Sequence, residues 1–218
     1  MPKSILISIN TEFVEKILNH TKTIEIRKTK PKCELPCKVY IYCTKPKKWW
    51  AFSNWGATSD ELVWKIKDKV KMCNGLEVWD DDCEKLNGKV VAEFTLNKVD
   101  TLERDLNDWL PKNRYDVSNE LLKNINLNQE QLWNYGQGKT LYAWYIDNLK
   151  IYDKPKELSD FSHFIPNNKC PTKQCGTNYE DCPNYDEEHE TCLALYYAHR
   201  VIKRPPMNWY YVEELENE

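Results

Sequence analysis

At residues 19–27 the chain reads Asn-His-Thr-Lys-Thr-Ile-Glu-Ile-Arg, directly after a segment whose apolar residues repeat at helical spacing. From Lys22 onward the apolar residues alternate, which predicts a strand over 22–28. Glu25 and Arg27 then share one face of that strand. Lys22 has the opposite parity and would reach them only from the turn that precedes the strand.

A glutamate and an arginine on one face of a strand have two interpretations. They form a buried ion pair that fixes the strand register. Alternatively they line a pocket, where Glu25 accepts hydrogen bonds from an amino group while Arg27 and Lys22 donate to carbonyl or phosphate oxygens. The residues alone leave both interpretations open.

The rest of the chain predicts one α+β domain, residues 1–218, built around a small, partly closed mixed β-barrel with flanking helices. Two helical patterns lie at 118–124 and 128–135. Strand patterns lie at 5–9, 38–44, 89–99, 140–152 and 209–212. Three excursions interrupt them, namely a Trp-rich insertion at 45–87, a helical excursion at 104–138 and a Cys-rich loop at 166–200.

The segment 19–27 resembles the GxKxxExR signature of the ASCH family in the PUA-like superfamily, as found in phage and clostridial proteins. Three further segments fit the family pattern in order: Val39-Tyr40-Ile41-Tyr42, the strand from Gly88 to Phe94, and Pro205-Pro206-Met207-Asn208-Trp209-Tyr210-Tyr211-Val212. One position departs from the signature, because His20 occupies the place of its first glycine. We expect this histidine to restrict the turn and to crowd the mouth of a cleft.

The resemblance implies a cleft beside the first helix, lined by Lys22, Glu25 and Arg27, that binds RNA or a modified nucleotide. An extruded base needs stacking partners and polar groups that read its edge. The predicted ligand-binding residues are therefore Lys22, Thr23, Glu25, Arg27, Lys28, Trp49 and Trp50. Further aromatic platforms are Trp55, Tyr40 and Tyr42, and further phosphate contacts are Lys30, Lys32, Lys45, Lys47 and Lys48. Burial in a core is the competing interpretation of each tryptophan.

Two other functions remain open. The acetylcytidine amidohydrolases of the family imply a hydrolase acting on a modified nucleoside or an RNA phosphodiester, with Lys22 and Glu25 as the catalytic residues. Glu25, however, occupies the place of their nucleophilic threonine, so the residues favour binding over catalysis. The third function is a phage-encoded protein-interaction module that contacts a host partner through the Trp-rich insertion.

The charge distribution agrees with an anionic ligand. Residues 1–50 hold eleven Lys and Arg but only four Asp and Glu, whereas the whole chain has a net charge of −3. A basic block on an acidic chain indicates a local anion-binding face. The competing interpretation is a solvated lysine surface.

Nine cysteines cannot all form intramolecular disulfides, and four of them cluster in the Cys-rich loop. We expect Cys170, Cys175, Cys182 and Cys192 to bind a structural zinc ion, with His189 as a substitute for one thiolate. Unligated thiols are the alternative. Cys33 and Cys37 form a weaker pair, which is predicted to be structural.

The sequence contains no long apolar run, so we expect no membrane segment and no signal peptide, and a cytoplasmic location.

Gly136-Gln137-Gly138-Lys139-Thr140 is similar to the end of a phosphate-binding loop. Trp133 stands at the first glycine of that motif, and a strand follows the segment, so a P-loop is excluded.

Overall fold

The computed structural model describes residues 3–45, 50–52, 56–58, 63–66, 69–72, 83–106, 113–164, 185–186, 191–192 and 201–215. Of the described residues within 50–84, 185–186 and 191–192, the structure describes the backbone only. Within these ranges, no helix is long and apolar enough to cross a membrane.

The described residues form three short helices and fifteen strands. The helices are α1 (Thr11–Leu18), α2 (Asn119–Ile125) and α3 (Gln129–Gly136), with a 3-10 turn at Leu158–Asp160. The strands are β1 (Lys3–Ile9), β2 (Ile24–Arg27), β3 (Cys37–Cys43), β4 (Trp50–Phe52), β5 (Gly56–Thr58), β6 (Val63–Ile66), β7 (Lys69–Met72), β8 (Cys83–Lys85), β9 (Val90–Leu96), β10 (Val99–Leu102), β11 (Leu141–Tyr145), β12 (Asp147–Lys156), β13 (Tyr185–Asp186), β14 (Thr191–Cys192) and β15 (Trp209–Glu213).

A five-stranded sheet in the order β12-β9-β3-β1-β15 forms the centre of the molecule. β1 and β3 are parallel, and the other neighbours are antiparallel. Both faces of this sheet are covered, since Ile5 and Ile7 of β1 pack in one core cluster and Leu6 packs in another. The buried side of α1, including Val14 and Ile17, covers the first face. The last described strand, β15, thus pairs with β1 at one edge of this sheet.

The predicted α+β class is confirmed, but the predicted partly closed barrel is present as separate sheets among the described strands. A three-stranded sheet in the order β10-β11-β2 lies beside the five-stranded one, and among the described strands no ladder joins the two into a closed barrel. The run 140–152, predicted as one strand, divides at Ile146, where β11 belongs to one sheet and β12 to the other. The run 89–99 divides in the same way between β9 and β10. An alternating pattern continues across such a bend, because each half is a strand in its own right.

The two predicted helices of the excursion 104–138 are confirmed as α2 and α3. Each begins at a side-chain cap, Ser118 for α2 and Asn128 for α3, and Asn128 forms a full capping box with Gln131. Ile125 of α2 and Leu132 of α3 are fully buried in the core cluster that contains β2. The excursion therefore places α2 and α3 beside the strand that carries the signature residues.

Candidate functional site

The turn after α1 directs the chain into β2. His20 N–H donates to the Ile17 carbonyl and Thr21 N–H to the Lys16 carbonyl, which is a Schellman motif with His20 at its left-handed position. The φ angle of His20 is 57°. Glycine adopts this conformation without strain, whereas a residue with a side chain such as His20 is strained there.

The three signature side chains meet beneath this turn, and we call Lys22, Glu25 and Arg27 the floor cluster. Lys22 Nζ lies 3.3 Å from Glu25 Oε2, and Arg27 Nη2 lies 3.1 Å from Glu25 Oε1. The exposed fractions of the three residues are 2%, 6% and 8%. The predicted arrangement is thus observed, since Glu25 and Arg27 share a face and Lys22 reaches them from the turn.

Lys22 is held by more than its carboxylate partner. Its ammonium donates to the carbonyl of Ile125, the last residue of α2, at 2.7 Å. The ring of Phe13 lies 5.1 Å away. Burial lowers the pKa of Lys22, and the charge of Glu25 partly opposes this shift. The negative end of the α2 dipole also favours the ammonium form.

Arg27 ties three parts of the chain together. Its Nη2 donates to the backbone carbonyl of Ser8 in β1 at 2.7 Å, and its Nη1 donates to Asn208 Oδ1 at 3.0 Å. Asn208 in turn donates to Thr29 Oγ1 at 3.3 Å. The Nε of Arg27 is buried and has no hydrogen-bond partner among the described residues. The guanidinium therefore links β2, which carries it, to β1 and to Asn208.

The floor cluster lies at the bottom of a cleft of about 1520 Å³. One wall comes from α3 and the loop before it, through Leu127, Gln131, Asn134 and Tyr135. Residues 201–208, which we call the closing segment, form a second wall. Lys22, Glu25 and Arg27 thus form an ion-pair cluster that also lines an open cavity. The buried ion pair and the pocket lining, given above as alternative interpretations of Glu25 and Arg27, are therefore both observed.

Four exposed cations line the cleft in addition to the floor cluster, and we call them the rim cations: Lys28, Lys45, Lys203 and Arg204. With Lys22 and Arg27 they make six cationic side chains, against the two carboxylates Glu25 and Glu157. Among the described residues that line it, the cleft is therefore strongly cationic, which suits an anionic ligand.

The predicted ligand-binding residues fall into three groups. Lys22, Glu25, Arg27 and Lys28 line the cleft, as do Tyr42 and Lys45. Thr23, Tyr40, Lys30 and Lys32 are not among its lining residues. Trp49, Trp55, Lys47 and Lys48 lie outside the described residues, and only the backbone of Trp50 is described.

His20 does not occupy the position that the sequence predicts for its side chain. It is exposed and is not among the residues that line the cleft. The substitution therefore affects the turn rather than the mouth of the cleft.

Tyr135 is a cleft residue that the sequence did not indicate. Lys28 Nζ lies 4.9 Å from the centre of its ring. Burial raises the pKa of Tyr135, with Arg27 opposing and Glu25 reinforcing the shift. The phenol is thus within electrostatic range of the floor cluster. The capped helix was predictable, but which of its residues face β2 depends on how the helix packs.

The predicted zinc site cannot be compared with the structure. Cys170, Cys175, Cys182 and His189 lie outside the described residues, and only the backbone of Cys192 is described, in the β13–β14 ladder. Among the described side chains there is no group of three or more metal-ligating residues.

Cys33 and Cys37 are free thiols whose sulfur atoms lie 3.2 Å apart. Cys37 is buried at the start of β3, and burial raises the pKa of its thiol. Both side chains pack against the first core cluster. This placement agrees with the structural role predicted for the pair.

The chain was compared with known proteins and solved structures. No protein-family model and no curated protein matches the sequence. Among solved structures, the ASCH protein of Zymomonas mobilis is similar at 16% identity and a TM-score of 0.41, over 71% of this chain and 73% of that one. Two single-residue variants of that protein match at 17% identity and a TM-score of 0.39, over 71–72% of this chain and 74–77% of theirs. The similar structures thus bear the name of the family that segment 19–27 resembles.

Proposed function

We propose that this protein binds nucleic acid, as RNA or as a modified nucleotide, in the cleft above Lys22, Glu25 and Arg27. One observation carries the proposal. A buried cluster of hydrogen-bonding charges lies at the bottom of a cavity whose rim is cationic. This arrangement offers polar groups for the edge of a base and cations for its phosphates.

The floor cluster retains hydrogen-bonding capacity. Each oxygen of Glu25 contacts one cation and has a second acceptor position. The Lys22 ammonium has three donors, and two of them are directed to Ile125 and Glu25. A ligand with both an amino group and a carbonyl oxygen, as nucleobases have, is complementary to this set.

The rim cations supply the sequence-independent part of binding. All four are exposed, so a phosphate reaches them without a desolvation penalty for a buried charge. Phosphate contacts of this kind dominate the affinity of nucleic-acid complexes and make it dependent on salt.

The test is a titration of fluorescently labelled single-stranded RNA with the purified protein. We expect Arg27→Lys to weaken binding about tenfold or more, because a lysine cannot reproduce the paired donors of a guanidinium. Arg27→Ala is expected to weaken it further. The matched control is Lys150→Gln, which removes an exposed cation that is not among the residues lining the cleft.

Thermal melts show whether each variant is folded. Arg27→Lys keeps the charge that Glu25 needs, so it is expected to remain folded even if Arg27→Ala does not. Affinity that is the same in wild type and in folded Arg27→Lys would contradict the assignment of the cleft. The absence of any binding by the wild type would contradict the function itself.

The second function, a hydrolase, is favoured by one observation. Lys22 is a buried amine of lowered pKa in contact with a carboxylate, a combination that suits proton transfer. In that case Lys22 and Glu25 are the catalytic residues. Turnover of acetylcytidine or an RNA oligomer that is lost in Glu25→Gln would establish the hydrolase, and binding without turnover would exclude these substrates.

A further inference from the structure

Two large apolar side chains stand exposed in the cleft. Among the described residues, four large hydrophobic side chains are exposed, and two of these, Tyr135 and Met207, line the cleft. Tyr135 is 37% exposed and comes from α3, whereas Met207 is 105% exposed and comes from the closing segment. Apolar surface is thus presented from both walls of a cationic cavity, by a partly buried ring on one wall and by a fully exposed side chain on the other.

Polar side chains accompany Tyr135 on the same wall. Gln131 and Asn134 also line the cleft, and the spacing of 131, 134 and 135 places the three residues on one face of the helix. Gln131 Oε1 accepts the N–H of Asn128 in the capping box, and its amide group still has donors to offer. This face of α3 therefore combines a ring surface with the amides that read base edges.

A cation lies over the ring of Tyr135. The Lys28 ammonium lies 4.9 Å from the ring centre of Tyr135. A base stacked on this ring brings its own phosphate into the neighbourhood of Lys28. Ring, cation and amides thus match the parts of a single nucleotide, namely a planar base, a phosphate and a hydrogen-bonding edge.

We propose that α3 is the base-recognition wall of the cleft and that its ligand is an unpaired base in single-stranded RNA. The base stacks on Tyr135, its outer face contacts Met207, and its edge meets Gln131 and Asn134. A paired base in a duplex has both faces covered and its pairing edge occupied, so it cannot enter this arrangement. The inference rests on the nucleic-acid binding proposed above and assigns its specificity to residues outside the signature.

The test uses short single-stranded RNA with one 2-aminopurine, whose fluorescence is quenched when the base stacks. We expect the wild-type protein to quench the probe on binding and Tyr135→Phe to preserve both quenching and affinity. Tyr135→Leu is expected to lose the quenching and to weaken binding about 5- to 150-fold, the range typical of one stacked base. Met207→Ala is expected to weaken binding less, since a thioether chain has no ring face.

The matched control is Leu106→Ala, which truncates an apolar side chain that is 80% exposed and not among the cleft residues. Thermal melts confirm that the variants are folded. If Tyr135→Leu binds and quenches like the wild type while Arg27→Lys still weakens binding, the base-recognition wall is refuted and the proposed function stands. Equal affinity for duplex and single-stranded RNA also refutes it. If the wild type binds no oligomer, the proposed function fails first.

Discussion

Removal of the rim cations one at a time is expected to lower the salt dependence of RNA binding in equal steps. Lys28, Lys45, Lys203 and Arg204 are exposed, line the same cleft and are separate from the buried floor cluster. Each cation that neutralises a phosphate of a single strand adds about 0.7 to the slope of log affinity against log salt concentration. Four such contacts give a slope of about −2.8.

This slope sets the size of the effect. Between about 50 mM and about 200 mM salt, the wild-type protein is expected to lose about 50-fold in affinity. A variant such as Lys203→Gln, with one contact fewer, is expected to lose only about 20-fold over the same range. Fluorescence anisotropy with labelled single-stranded RNA at four or five salt concentrations resolves this difference.

The variants also separate the rim from the rest of the surface. Lys150→Gln, on β12 and outside the residues that line the cleft, is expected to retain the full slope. A wild-type slope near zero would show that no phosphate is neutralised, and equal slopes in Lys203→Gln and the wild type would show that the rim is not the phosphate contact. Either result would refute the electrostatic argument.

Four further outcomes are expected. His20→Gly is expected to raise the free energy of unfolding by about 1 kcal/mol in urea titrations, because glycine adopts the left-handed conformation without strain; an unchanged or lower stability would contradict the strain at His20. Glu25→Gln is expected to cost about 3–5 kcal/mol, since two buried cations lose their counter-charge, whereas the exposed Glu34→Gln stays within about 0.5 kcal/mol. Burial lowers the pKa of Lys22 below 10.5, so the unfolded chain binds the Lys22 proton more tightly than the folded chain does. The wild type should therefore become more stable relative to Lys22→Met as the pH rises from the lowered pKa to 10.5. A stability difference that does not change with pH would contradict the lowered pKa. Metal analysis of protein purified without chelator is expected to find about one zinc per chain, lost when the four cysteines between 170 and 192 are changed to serine, and a zinc-free wild type would reject the site.

The sequence predicted the floor cluster because its geometry is local. Residues 22–27 belong to one turn and one strand, so parity alone places Glu25 beside Arg27 and leaves Lys22 to reach them from the turn. The helices α2 and α3 were also predictable, since their caps and periodicity lie within a few residues of each other.

The sequence did not predict the features that depend on distant parts of the chain. The bend at Ile146 does not change the alternation of apolar and polar residues along the chain. The residues on both sides of it alternate in the same way, although β11 and β12 pair with strands of different sheets. Tyr135 was missed for the same reason. Its exposure in the cleft results from the packing of α3 against β2, which is set by core residues such as Ile26 and Leu132. Local patterns report element type well, and they carry little information about which elements become neighbours.

The hydrogen bond from Arg27 to Asn208 joins residues that are 181 positions apart, and the Ser8 hydroxyl donates to Pro206 across 198 positions. At a synthesis rate of about 5–20 residues per second, the ribosome needs about 10–40 s to travel from Arg27 to Asn208. During that interval the nascent chain carries Lys22, Glu25 and Arg27 but lacks the closing segment, residues 201–208. The closing segment and β15, which pairs with β1, are made late in synthesis, so a chain halted before residue 201 would present Arg27 without its asparagine partner.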